Sequence, residues 1–487
     1  MDSYLLVTKL VNTVREMSFP VSAAAATAVA LLLYHTNLLK SLIRGITRDY
    51  KNKYGDVYAV YNGTIRELVL TDPTAIKRYY ANDGRVHRKA HAIGFGYYFG
   101  RLLGKAVGTM HNEDWFRVRR VVDPHFQMKV VKNMLPMMET DFRQWFEQLE
   151  KHAGAKHNGN AFEMDALTVA ERTPVKVVAR ALFDPVLTKE DFETLIKMNE
   201  VHEKLVETAF LGHLPSYSWY RWLPTKANRM MDEYQEKWER LVLDMVARSR
   251  KENKPSPISE MYKSVEDGTM ELIELLQTAD EILYTNIDVT STALAWGLIH
   301  LAQHPTAQAK ARKEVFAAIE NPEYGSTENE RIAHYVALSG TYLHNCMLEA
   351  MRLVPLLYYS LPEVTAEAKE IGGYATSVLI DAYTLNRNAP CWAPDGDSYR
   401  PERFESLQGI DYRYSLWRFG IGPRKCVGQF FGDKIAKMFI SSALRSFEYE
   451  IVGPITKKQN LFVQTPEATF RMTPIRRLAP ASTSPRL

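Results

Sequence analysis

The segment Phe419-Gly420-Ile421-Gly422-Pro423-Arg424-Lys425-Cys426-Val427-Gly428 gathers the residues best suited to chemistry. A glycine-rich loop delivers Cys426 to the start of a helix expected at about 428–446. Peptide N–H groups at a helix start point at the sulfur and favour its thiolate form. Arg424 adds positive charge beside it. Gly420 and Gly422 let the backbone approach a flat partner closely. Together these features suit a thiolate bound to the axial position of a haem iron, where it donates electron density.

Three further groupings stand in order along the chain. Trp115 and Arg119 are one turn apart on a helix expected at 113–122. Glu349 and Arg352 have the i, i+3 spacing that puts both on one helical face. Pro401-Glu402-Arg403-Phe404 brings a second arginine downstream. Guanidinium groups sharing one buried carboxylate can fix the position of a loop.

The rest of the chain must position these residues. β-branched and aromatic runs at 54–72, broken by Asn62-Gly63, predict a β-hairpin. Helical patterns follow at 73–81, 113–122, 127–150, 161–182, 188–205 and 225–252. Residues 253–260 read as a loop and are the best internal linker, too short to mark a domain boundary. Between Leu272 and Gln303 there is no proline, and Gly297 is the lone glycine. That predicts one helix of about eight or nine turns, stopped by His304-Pro305. Helix is expected again at 308–320 and 331–353, a strand within 371–385, and irregular chain at 386–425. The class is mostly α with minor β sheets, in one large domain rather than the roughly three that length alone would suggest. Fold alone does not give function.

Composition narrows the classes. Of 487 residues, 46% are apolar and 24% charged, which excludes intrinsic disorder, collagen and a polytopic membrane protein. A net charge of +4 gives no argument for nucleic acid, and none is expected as a partner. Three cysteines exclude a disulfide scaffold.

Residues 19–34 form an apolar, alanine-rich run close to the length a spanning helix needs. Lys40, Arg44, Arg48, Lys51 and Lys53 follow it, an excess that would hold the remainder in the cytosol. Residues 1–49 are therefore expected to be a membrane anchor and linker; an amphipathic or buried helix is the alternative.

The pattern FxxGxRxCxG, carried by Phe419, Gly422, Arg424, Cys426 and Gly428, resembles the haem-binding loop of the cytochrome P450 family. Glu349-Ala350-Met351-Arg352 resembles its ExxR motif, 401–404 its PERF segment, and Trp115 with Arg119 its WxxxR pattern. The resemblance covers roughly 50–475, with 476–487 left as a flexible tail. It implies haem b buried between the long helix and the cysteine loop, with Cys426 on iron. Arg424, Trp115 and Arg119 would bond the propionates. His87 and Arg88 are further propionate candidates, or else a solvated loop. Glu349, Arg352 and Arg403 would form a structural triad behind the haem. The activity implied is insertion of one oxygen atom from O2 into a hydrophobic small molecule. The implied location is the endoplasmic reticulum membrane, facing the cytosol, with electrons from NADPH–cytochrome P450 reductase.

The sequence departs from the family in its long helix. The matching run is Thr285-Asn286-Ile287-Asp288-Val289-Thr290. The acid is kept as Asp288, but Val289 replaces a threonine whose hydroxyl helps supply protons during oxygen activation. Thr285 and Asn286 lie one turn back from Val289, and Thr290 is one step round the helix. Three readings follow. Thr285, Asn286 or a water stands in for the hydroxyl; or the substrate supplies the proton, as in coupling or ring closure; or the enzyme rearranges a peroxide. Two other departures are Glu363, where the family often has a propionate-binding arginine, and the absence of proline from Val21 to Asp72.

The stretches SVLIDAYTLNRNAPCWAPD and DYRYSLWRFGIGPRKC are similar to filamentous-fungal enzymes of secondary metabolism, some acting on cyclic dipeptides. Phe95, Tyr97 and Tyr98, in glycine-rich residues 91–108, with Val289, are expected to wall the substrate pocket; the aromatic cluster packing a loop is the other reading. Lys425, Lys434, Lys437, Arg117 and Arg120 flank the haem-bearing segments and are expected to offer the reductase a basic face, or else are solvated charge.

Overall fold

Several helix starts in this chain are set by side-chain oxygens that accept the first free N–H groups. Asp72 takes the Ala75 N–H at 2.9 Å, and Asp165 takes those of Leu167 and Thr168. Ser256 and Ser259 form a reciprocal box, as do Thr327 and Glu330. The computed structural model describes residues 50–62, 65–81, 88–89, 96–152, 156–158, 160–211, 214–364, 377–459 and 463–475. The expected anchor at 1–49, with its apolar run at 19–34, and the tail at 476–487 lie outside these. Among the described residues no helix is long and apolar enough to cross a membrane.

The helices are α1 (Pro73–Tyr80), α2 (Gly96–Leu103), α3 (Asn112–Val122), α4 (Met128–Gln148), α5 (Ala166–Phe183) and α6 (Lys189–Leu211). Next come α7 (Lys226–Lys251), α8 (Pro257–Glu266), α9 (Leu272–Tyr284), α10 (Ile287–Gln303) and α11 (Pro305–Glu320). The last are α12 (Glu328–Ala337), α13 (Tyr342–Leu353), α14 (Ala382–Asn388), α15 (Arg403–Ser406) and α16 (Gln429–Ser446). The strands are β1 (Val57–Asn62), β2 (Ile65–Leu70), β3 (Arg88–Lys89), β4 (Lys156–Asn158), β5 (Ala161–Asp165), β6 (Glu363–Val364), β7 (Ser377–Ile380), β8 (Phe447–Gln459) and β9 (Gln464–Pro474).

Two small sheets flank the helical body, in the orders β1-β2-β7-β6-β3 and β4-β5-β9-β8. The hairpin at 54–72 forms with Asn62 opposite Ile65. β2 then pairs with β7 in parallel, so the early hairpin is completed by chain some 300 residues later.

α10 crosses the core. Its Leu294, Ala295, Leu298 and Ile299 have no exposed surface. Each such leucine contributes about 1.5–3 kcal/mol by burial. α16 packs beside it and against α4, where the Phe142 and Phe146 rings meet Phe439 at 5.5 and 5.1 Å. A buried pair, Arg445 with Glu139, joins the same two helices at 2.8 Å.

Several expected elements are corrected. The helix predicted across 272–303 breaks at Thr285-Asn286 into α9 and α10. The Thr285 hydroxyl donates to the Glu281 carbonyl at 2.6 Å, and the Asn286 amide to that of Ile282 at 3.0 Å. These side chains bond the carbonyls of the turn before the break. Residues 331–353 divide between α12 and α13, with Gly340 at φ +73° between them. Residues 161–165 are strand, pairing with β9, before α5 starts. The loop expected at 253–260 gives way to α8 at Pro257, where proline costs nothing because that N–H has no helical partner. Of the strand expected within 371–385, the described part is 377–380, and Asp381 caps α14.

Candidate active site

The loop before α16 is shaped by its glycines. Gly420 and Gly422 have φ of +81° and +80°, a region other residues avoid. A Cβ on Gly422 would lie 2.4 Å from the Tyr80 ring, so only glycine lets the loop pass. The Phe419 carbonyl accepts the Cys426 N–H at 2.9 Å and closes the turn that carries the thiol. The other two cysteines are unsuited to be thiolates. Burial pushes Cys346 up to about 12 and also raises Cys391.

Arg424 lies with its guanidinium 4.4 Å from the Trp115 ring centroid. Arg119 lies over the same ring at 5.7 Å and is paired with Asp123. One Arg424 nitrogen donates to the carbonyls of Gly108 and Met110 at 3.3 and 2.8 Å. The other, Nη1, is buried with no hydrogen-bond partner among the described residues. Burial lowers the Arg424 pKa to about 10, and Glu363 opposes that shift. An orphaned cationic donor on an indole, beside a glycine cradle and a cysteine at a helix start, fits a flat macrocycle bearing carboxylates. Glu363 itself is buried and accepts the Tyr80 hydroxyl at 2.9 Å. Of the other propionate candidates, His87 lies outside the described residues, and Arg88 pairs with Val364 in β3.

The triad residues meet. Arg352 donates to both oxygens of Glu349 at 2.7 and 2.8 Å, and Arg403 Nε to the same carboxylate at 2.9 Å. All three are buried. Arg352 also reaches the carbonyls of Asn386 and Ser398, and Arg403 that of Ser398. Two guanidiniums on one carboxylate thus fasten the meander before the cysteine loop to α13.

The α9–α10 break presents the proton-handling candidates. The donor groups of Thr285 and Asn286 are spent on backbone carbonyls, as described. Val289 and Thr290 are half-buried. Asp288 keeps accessible surface, yet protein crowds round it, and that desolvation raises its pKa, with His202 opposing. Glu171 of α5 and Glu203 of α6 also keep accessible surface; desolvation by the protein around them raises each first, and Asp288 adds to both. No sequence signal singled out these two glutamates. Glu281 was also missed: with Gln277 and Thr278 it accepts the N–H groups of Gly108, Lys105 and Val107 at 2.8, 2.6 and 3.2 Å. The loop between α2 and α3 is therefore held by α9 on one side and Arg424 on the other.

Two sets of expected residues are corrected. Lys434 and Lys437 are buried, not a basic face: their ammonium groups donate to the carbonyls of Val336 and Tyr335, each at 2.8 Å, at the end of α12. Arg117 is engaged by Glu274 at 2.8 Å, while Lys425 and Arg120 are exposed. Tyr98 is no open pocket wall. It is buried edge-on to Tyr220 and donates to the Ala227 carbonyl at 2.6 Å, because α2 packs on the chain entering α7. Tyr97 is exposed, and Phe95 lies outside the described residues.

The fold and this site define a haem-thiolate protein, and comparison places it. The Cytochrome P450 family pattern matches residues 27–472, so the chain belongs to the cytochrome P450 family. It is similar to the cytochrome P450 monooxygenase lepD of Aspergillus flavus, 32% identical over 79% of this chain and 75% of that one. It is 30% identical to the cytochrome P450 monooxygenase gliC of Aspergillus fumigatus, over 89% of this chain and 86% of that one. The crystal structure of a cytochrome P450 titled CYP102L1 superposes with a TM-score of 0.71 at 18% identity, covering 89% of this chain and 97% of that one. A zebra fish cytochrome P450 gives 0.66 at 18% identity, over 88% and 98%. The chain is a cytochrome P450 monooxygenase, and the family implies haem on a cysteine thiolate, a small-molecule substrate, O2 and a redox partner.

Proposed function

We propose that this chain holds haem b on Cys426 and inserts one oxygen atom from O2 into a hydrophobic secondary metabolite, of a peptide-derived or cyclic dipeptide class. The observation that carries this reading is the Cys426 loop with the orphaned Arg424 donor over Trp115. The bound haem supplies the oxygen-activating chemistry. The protein's part is to hold a thiolate, bind the propionates through Arg424 and Trp115, and keep a proton donor at hand. Asp288 serves as that donor, its pKa raised by desolvation in its crowded setting. The substrate class rests on the similarity of 377–395 and 411–426 to fungal enzymes of that kind.

Electrons come from NADPH–cytochrome P450 reductase on the endoplasmic reticulum membrane, with Lys425 and Arg120 on the approach face. An exposed aromatic surface in the chain between α6 and α7 supports membrane residence. Leu214, Tyr217, Trp219, Trp222 and Leu223 are all exposed, Trp222 by 81%. No acidic residue occurs from 208 to 231, while Arg221, Lys226 and Arg229 stand exposed there. Aromatic rings among basic side chains suit a lipid headgroup boundary.

The second reading, oxidative coupling or ring closure, is favoured by one observation: Val289 offers no hydroxyl, and the Thr285 and Asn286 donors are already bonded. Turnover under 18O2 with purified reductase decides between them. One labelled oxygen in the product of a host metabolite extract supports insertion. An unlabelled product poorer by two hydrogens supports coupling.

A further inference from the structure

Arg418 occupies a place of its own beneath the cysteine loop. Its guanidinium lies 4.6 Å from the centroid of the Phe419 ring. Both of its terminal nitrogens engage the Asp433 carboxylate, the longer arm at 3.1 Å. Its Nη1 also lies 3.8 Å from the sulfur of Met351, the neighbour of Arg352 in the buried triad. Asp433 follows Gly432 on α16, and the missing side chain of Gly432 leaves the Phe419 ring in contact: a Cβ there would sit 3.4 Å from it. The Phe419 ring is therefore held between a guanidinium and a helix glycine, while its carbonyl holds the Cys426 N–H. One side chain thus ties together the cysteine loop, the helix after the cysteine, and α13.

We propose that Arg418 and Asp433 form a charge clamp that holds Phe419 and in which each charge cancels the other's effect at the Cys426 thiolate, so that neither charge alone displaces the reduction potential of the haem. Arg418 and Asp433 are positioning residues; neither needs to touch the cofactor. Their side chains are only 18% and 19% exposed, so their charges are weakly screened. Reduction adds negative charge at the iron. A positive neighbour favours the reduced state and a negative one opposes it. In the intact pair the two effects largely cancel, and the bidentate geometry keeps the ring in place.

The proposal rests on Cys426 as the iron's thiolate. The carbon monoxide difference spectrum of the unaltered protein tests that reading separately. The clamp is tested by redox titration of the full-length, haem-loaded protein, followed in its absorption spectrum. Arg418→Gln leaves the Asp433 charge alone and is expected to shift the potential negative. Asp433→Asn leaves the Arg418 charge alone and is expected to shift it positive. The double variant is expected to return close to the unaltered value, as is Arg418→Lys. A merely structural role would not give shifts of opposite sign. Shifts of the same sign, no shift in either single variant, or a double variant displaced further than both would overturn the proposal. If a single variant loses its haem, the double variant decides. Retained haem with a near-normal potential supports the clamp, and loss there too overturns it.

Discussion

The guanidinium of Arg424 stacks on the indole of Trp115 while reaching across to the carbonyls of Gly108 and Met110. One side chain therefore joins the cysteine loop to the loop that α9 also grips. Its remaining nitrogen is buried with no partner among the described residues, which is costly for a cation unless an anion is to be met there. Arg424→Met should remove a charge-assisted hydrogen bond of about 1.5–3 kcal/mol. Haem transfer to an acceptor apoprotein should then be roughly ten- to a hundredfold faster. An unchanged transfer rate would remove Arg424 from the propionate site.

Glu349 carries two arginines without access to water. Neutralising it leaves Arg403 only the longer pairing with Asp395 at 3.3 Å and Arg352 no carboxylate among the described residues, and breaking such a set costs about 3–5 kcal/mol. Glu349→Gln should therefore lower the unfolding free energy in urea by that amount and cut the yield of haem-loaded protein. A variant with normal yield and a loss of only a few tenths of that amount would show that the triad is not what fastens the meander.

The sequence was most legible where a few residues must meet one chemical demand. The glycines, arginine and cysteine of 419–428 are constrained by backbone approach and charge, so their spacing alone exposes them. Glu349, Arg352 and Arg403 were recoverable through the resemblance to the family's ExxR and PERF segments; the i, i+3 spacing alone matches many solvated pairs. The break at Thr285-Asn286 was not. Both residues are compatible with a helix, and only the competition of their side chains for the Glu281 and Ile282 carbonyls ends it. Lys434 and Lys437 misled for a related reason. Lysine is almost always exposed, and nothing in the sequence shows that the end of α12 will offer four carbonyls to them. Glu171 and Glu203 reach Asp288 from other helices, an encounter that tertiary packing creates and local pattern does not carry.

With Thr285 and Asn286 committed to the backbone, Asp288 is the acid left at the α9–α10 break, with the Thr290 hydroxyl one step round the helix. Asp288→Asn should slow product formation by about tenfold or more, within the usual range for a lost general acid. NADPH should be diverted to peroxide, and the solvent deuterium isotope effect on turnover should rise. Because the Asp288 pKa is raised, its protonated form is depleted as pH rises through that pKa, and coupling of NADPH to product should fall on the alkaline side. If coupling and isotope effect both match the unaltered enzyme, protons arrive by another path.

Acid should destabilise the fold through two histidines. Burial pushes His300 down to about 3 and His344 to about 4. An unfolded histidine takes its proton near 6.5. Between those values the unfolded chain binds more protons than the folded one, so stability falls as pH drops from about 6.5 towards 4. His300 stacks on Tyr399 at 5.0 Å, and both of its nitrogens lack partners among the described residues, so phenylalanine should fit its place. His300→Phe should flatten the acid limb of a plot of Tm against pH. A limb of unaltered steepness would assign the acid sensitivity elsewhere.

The aromatic surface between α6 and α7 gives a prediction about membranes that is independent of the N-terminal segment. Tyr217 and Trp219 stack at 5.8 Å, and Arg221 lies over Trp222, so the rings form one exposed, cation-flanked face. An interfacial tryptophan gains by burying its ring at the headgroup boundary, and nearby arginines add attraction to anionic lipid. Protein lacking residues 1–49 should therefore still float with vesicles containing phosphatidylserine, and less so with neutral vesicles or in high salt. Adding Trp219→Ser and Trp222→Ser should abolish flotation while leaving the haem spectrum unchanged, since neither ring is buried in the core. Flotation that survives both substitutions would place the lipid contact on another face. If the truncated protein never floats, this aromatic face makes no lipid contact.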